Sequence, residues 1–114
     1  ILIAQPTAEL VKNQFLLRKL DVLRVKGKLK PMAVYELLGD ESADSDLRLR
    51  ASEYDAAFAF YQQQNWEQAA LTLKSVLARF PHDAPAGALL ERITYLSSHS
   101  PGPDWDGVYV AKGK

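Results

Sequence analysis

The sequence predicts an α+β chain, on three observations. β-Branched and aromatic residues gather in two runs before residue 40, small acidic residues fill 39–46, and beyond them apolar side chains recur at helical spacing. The expected organisation is a strand, a helix and a hairpin over 1–39, an acidic linker over 40–46, a helical region over 47–97 and a Pro/Gly-containing tail over 98–114.

Each element has its own local cause. Ile1-Leu2-Ile3-Ala4 reads as a buried strand cut at its edge, so the chain is expected to be a fragment of a longer protein. Pro6 suits the first turn of a short helix through Val11, where its missing N–H would have no intrahelical partner. Phe15 to Val25 mixes Phe, Leu and Val with Arg and Asp, and Met32 to Leu37 sets Ala33, Tyr35 and Leu37 against Val34 and Glu36; both read as strands. Between them Lys26-Gly27-Lys28-Leu29-Lys30-Pro31 offers a Gly able to take positive φ and a Pro that breaks the ladder, which makes a hairpin loop.

Past the acidic boundary, Asp44 or Ser45 can cap a helix whose apolar stripe is Leu47, Ala51, Tyr54, Ala57, Phe58 and Tyr61. Asn65 with Gln68 three residues on resembles a capping box for a second helix, with Ala69, Leu73, Val76, Leu77 and Phe80 inside and Pro81 as its stop. Asp83 and Pro85 open a third helix carrying Leu89, Leu90, Ile93 and Leu96. The Ser/Pro/Gly stretch after Ser97 leads to Trp105-Asp106-Gly107-Val108-Tyr109-Val110, expected to fold back as a short extended segment.

Composition bounds the chemistry. The 114 residues are 47% hydrophobic, enough for one ordinary domain or two small ones. Fourteen basic and fourteen acidic side chains cancel, which argues against the broad positive field of a nucleic-acid binder. Without cysteine there is neither a disulfide framework nor a thiolate nucleophile, and His82 and His99 are too few for a histidine-rich metal site. The cluster Asp40, Glu41, Asp44 and Asp46 reads as solvated linker, not as packed metal ligands. The first four residues are far too short for a membrane span, so any anchor is expected upstream.

Ala57 and Phe60 on the first helix, with Ala69, Leu73, Val76 and Pro81 on the second, resemble a tetratricopeptide unit of two antiparallel helices. A second resemblance covers about the first third of the chain. Ile1 to Asn13, Leu17 to Leu37 and above all Val25-Lys26-Gly27-Lys28 resemble the end of the class III adenylate/guanylate cyclase catalytic domain. The segment with Asn65-Trp66, Phe80-Pro81-His82-Asp83 and Pro103-Asp104-Trp105-Asp106-Gly107 looks like the helical tail that follows this domain in some bacterial cyclases.

The resemblance implies a whole enzyme that converts ATP to cyclic AMP and pyrophosphate in signal transduction, with Mg²⁺ or Mn²⁺. It carries one residue role over, contact between Lys26 and the nucleotide phosphates. The family's two metal-holding aspartates, its transition-state asparagine and arginine and its base-reading pair lie upstream of the matched region. The chain by itself is therefore expected to be inactive and without metal. A homodimer, a cytoplasmic location and a membrane anchor in the upstream part are also implied. The alternative is a non-catalytic interaction module on a degenerate cyclase-like domain, with Tyr54, Phe58, Tyr61 and Trp66 meeting a peptide or protein partner.

Overall fold

The computed structural model describes residues 2–25, 30–40 and 45–111, and the fold is α+β. In chain order the elements are β1 (Leu2–Ala4), α1 (Gln5–Val11), β2 (Phe15–Val25), β3 (Met32–Asp40), α2 (Ser45–Gln62), α3 (Trp66–Arg79), α4 (Ala84–Ser98) and β4 (Tyr109–Ala111). The chain divides into two compact units: Ile1–Ala51 with Val108–Lys114, and Ser52–Gly107. The division falls inside α2 and not in the acidic segment, and the last residues belong with the sheet because β4 pairs there.

The sheet unit has the strand order β1-β3-β2-β4. Both β1 and β2 run antiparallel to β3, whereas β4 lies parallel to β2. The β2/β3 register shifts between Leu16 and Leu17 and again between Lys19 and Asp21. Leu38 is the extra residue at the first shift and Leu20 at the second, so the second restores the register that the first displaced. The bulge at Leu20 interrupts the alternation of β2, and the one at Leu38 that of β3. The expected burial of the first strand is corrected: β1 is an edge strand, and its Leu2 is 65% exposed. In α1, Pro6 occupies the first turn as its fixed φ predicts, and Ala8 is the residue turned inward.

The helical unit is built on antiparallel neighbours. Asn65 caps α3 by accepting a hydrogen bond from the Gln68 N–H at 3.4 Å. At the far end of the pair, Glu53 of α2 accepts from Ser75 at 3.3 Å and is ion-paired with Arg79 of α3. A tight turn after Phe80 then starts α4, with the Phe80 N–H donating to Val76 at 2.8 Å and the Asp83 N–H to Phe80 at 3.0 Å. The interior consists of Tyr54, Ala57, Phe58 and Tyr61 from α2, Ala69, Leu73 and Val76 from α3, and Ala86, Leu89 and Ile93 from α4. Small residues let the helices approach, and the large ones fill the space between them.

Burial is unequal between the units. Among the described residues of the sheet unit, the buried apolar residues are Ala8, Ala33, Ala51 and Val108, all small or medium, while the larger Phe15, Leu16, Leu17, Leu37 and Leu38 are only half-covered. The largest buried side chain there is a charged one, Arg18. No helix among the described residues is long and apolar enough to cross a membrane.

Candidate functional site

Lys26, the residue expected to contact phosphate, lies outside the described residues, as do Gly27 and Lys28. Its flanks are described. Leu23 of β2 pairs with Met32 of β3, so the lysine segment connects two registered strands. Lys30 and Pro31 on the far side are exposed. β2 is continued as sheet beyond Leu23 by β4, whose Val110 and Ala111 pair with Arg24 and Val25.

Within the same sheet, Arg18 and Glu36 stand directly opposite each other and form a salt bridge. Arg18 is fully buried and the Glu36 side chain is 22% exposed. An arginine cannot shed its charge inside a protein, so it must be compensated where it lies. The sequence does not announce this pair: the register beside the loop, with Leu23 opposite Met32, would set Arg18 against Leu37, and the extra residue Leu20 shifts it to Glu36. A cleft of about 440 Å³ opens elsewhere on the unit, where Lys12, Tyr35, Asp40 and Arg48 mix both signs of charge along the rim.

The four aromatic residues expected to meet a partner do not form a presented surface. Tyr54, Phe58 and Tyr61 are packed in the interior, at 2%, 3% and 0% exposed, which corrects that expectation for these three. They form a run of ring contacts, with Tyr54 and Phe58 stacked at 6.5 Å between centroids and Phe58 and Tyr61 tilted at 5.2 Å. Burial wins because rings of this size contribute most when removed from water. Trp66 is half-exposed and lines a shallow groove of about 510 Å³ with Gln64, Asn65, Thr94 and Ser97. Its ring centroid lies 6.0 Å from that of Tyr61 and 5.9 Å from that of Trp105.

Trp105, at the head of the segment expected to fold back in extended form, is the aromatic residue whose neighbours the sequence does not indicate. It meets Tyr61 edge-on at 5.3 Å, closing a cluster of Tyr61, Trp66 and Trp105. Arg92 adds a cation over the Tyr61 ring at 5.8 Å and donates to its hydroxyl at 3.2 Å. The remaining titratable residues singled out by sequence stand apart from this cluster: His82 is exposed, and His99 stacks on Tyr95 at 4.2 Å with Nδ1 3.0 Å from the Tyr95 carbonyl oxygen. Among the described residues no group of three or more His, Cys, Asp or Glu side chains could hold a metal ion, and Glu41 and Asp44 of the acidic cluster lie outside them.

Comparison with protein-family models, with curated proteins and with solved structures finds no match to this chain.

Proposed function

We propose that this chain is the C-terminal part of a class III nucleotidyl cyclase, which forms cyclic AMP and pyrophosphate from ATP, followed by a helical regulatory tail. The observation that carries the reading is the strand, helix and hairpin order of the first forty residues, with β2 and β3 in register so that Val25-Lys26-Gly27-Lys28 begins the connection between them. The half-covered leucines of β2 and β3 support it further. A sheet whose large apolar side chains remain partly in water is suited to packing against more protein, here the rest of a catalytic domain.

The chemistry gives Lys26 a definite task. The ribose 3′-hydroxyl gives up its proton to water as its oxygen attacks the α-phosphorus, the bond to the bridging oxygen breaks, and pyrophosphate leaves with growing negative charge. An ammonium group held close to the leaving phosphates stabilises that charge in the transition state. Lysine suits a point contact of this kind, since its three donors rotate to meet whichever phosphate oxygen carries the charge. Mg²⁺ or Mn²⁺, which screens the triphosphate, would be held by residues outside this chain. A homodimer, a cytoplasmic site of action and a membrane anchor upstream complete the proposal. The interaction-module reading is not favoured, because three of its four contact residues are interior.

The test uses the product of the whole gene. Cyclic AMP formation from ATP and Mn²⁺ is expected, and Lys26→Ala should lower turnover about 100-fold while leaving the thermal transition unchanged. Wild-type turnover in that variant removes Lys26 from the mechanism, and a gene product without the upstream metal aspartates removes the enzyme reading altogether. The 114-residue chain alone should form no cyclic AMP.

A further inference from the structure

The two bulges of the β2/β3 pair are matched. From Leu23↔Met32 to Asp21↔Val34 the strands keep one register, and Leu16↔Gly39 and Phe15↔Asp40 lie in that same register. Leu17, Arg18 and Lys19 depart from it, standing one place along, opposite Leu37, Glu36 and Tyr35. Leu20 in β2 and Leu38 in β3 are the extra residues at the two ends of the departure.

An even register through the whole pair is therefore open to the same sequence. It sets Leu17 opposite Leu38, Arg18 opposite Leu37, Lys19 opposite Glu36 and Leu20 opposite Tyr35, with no residue left over in either strand. A shift of one residue also exchanges faces. Arg18, which shares a face with Glu36 and Val34 in the observed register, moves to that of Ala33, Tyr35 and Leu37, while Lys19 takes its place opposite the carboxylate.

Apolar burial does not choose between the two registers. Leu16, Leu17, Leu20, Leu37 and Leu38 are all half-covered, so neither face of this stretch is the clear inside that normally fixes a register. Charge makes the choice. Arg18 is fully buried and ion-paired with Glu36 in the observed register, whereas the even one leaves a guanidinium opposite Leu37. Because two cations are adjacent in Arg18-Lys19, Glu36 meets a positive charge either way.

We propose that β2 and β3 form a two-register switch, in which Leu17–Lys19 slide by one residue along β3 and Glu36 exchanges Arg18 for Lys19. The buried arginine holds the observed register, and loss of its charge releases the even one. The slide decides which face of the sheet carries a guanidinium. It lies wholly within the sheet unit and is independent of the enzyme reading.

Disulfide trapping tests it, because the 114-residue chain has no cysteine of its own. Directly opposed residues lie about 4.5–5.5 Å apart between Cα atoms, within disulfide reach, whereas side chains on opposite faces point apart and do not join. Leu17→Cys with Leu37→Cys reports the observed register, and under mild oxidation it should close about tenfold faster in buffer than in denaturing urea. Adding Arg18→Leu should remove most of that advantage. Arg18→Cys with Leu37→Cys takes away the arginine and reports the even register, so this pair should show a similar advantage, about tenfold.

Three results overturn the switch: no advantage for the first pair in the otherwise unchanged chain, an undiminished advantage beside Arg18→Leu, or a second pair that closes no faster in buffer than in urea. A sheet that merely loosens without its arginine gives the third result. Instability is thereby kept apart from a slide.

Discussion

Arg18 and Glu36 are the residues with the most at stake in the sheet unit. A guanidinium that is fully buried has lost its hydration, and the carboxylate opposite offsets that loss. Glu36→Ala leaves the cation in place with less to balance it and should cost about 3 kcal/mol in urea denaturation. Replacing both, as Arg18→Met with Glu36→Leu, should cost much less than Glu36→Ala alone, because no charge remains to be compensated. Gly107 presents a different residue-scale constraint, since its backbone is left-handed and Gln62 stands where a Cβ would go. Gly107→Ala should lower stability by about 1–2 kcal/mol, read as a lower thermal midpoint. Neither constraint has a local signature: Arg18 sits in the sequence like any charged residue of a strand, and Gly107 like any glycine of a loop.

At the scale of elements, local signals were the most readable. Pro6 at the start of α1 and Asn65 before α3 act through nearby backbone groups, so they work wherever the helices pack. Asn65→Ala should therefore cost about 1 kcal/mol by thermal melting. Leu73, at 0% exposed, belongs to the stripe read from helical spacing, and Leu73→Ala should cost about 2–5 kcal/mol according to how far the interior closes around the gap. The acidic stretch did mark the start of α2, but the compact units divide after Ala51, further into that helix. A helix carries its own backbone hydrogen bonds and can run through such a division unbroken. In β2 the extra residue Leu20 interrupts the periodicity of a half-buried strand, so its existence was legible from its Phe, Leu and Val content while its inward face was not.

For the whole molecule, the unequal cores set the order of opening. The helical unit buries two tyrosines, a phenylalanine, two leucines, a valine and an isoleucine, whereas the large apolar residues of the sheet remain half-covered. Amides of β2 and β3 should accordingly exchange through openings of lower free energy than those of α3 and α4 in native-state hydrogen exchange. Both tryptophans, Trp66 and Trp105, belong to the helical unit, so their fluorescence follows that unit alone during denaturation. Equal protection in the two units would show that the sheet draws its stability from elsewhere than the burial seen here. A larger catalytic domain, as proposed above, would supply the cover that these half-exposed side chains lack.

What the sequence determined by itself was the α+β class, the order of the elements and most helix ends, because caps, proline and apolar spacing act over a few residues. It also singled out Val25-Lys26-Gly27-Lys28 as the segment with a chemical reading. Tertiary structure decided what depends on residues distant in the chain. It turned Tyr54, Phe58 and Tyr61 from a surface into an interior, drew Trp105 into the aromatic cluster, and set Glu36 against Arg18. It also placed Tyr109–Ala111 beside Leu23–Val25. A strand of three residues has too little pattern to announce its partner, and only the strand end it joins gives it a place.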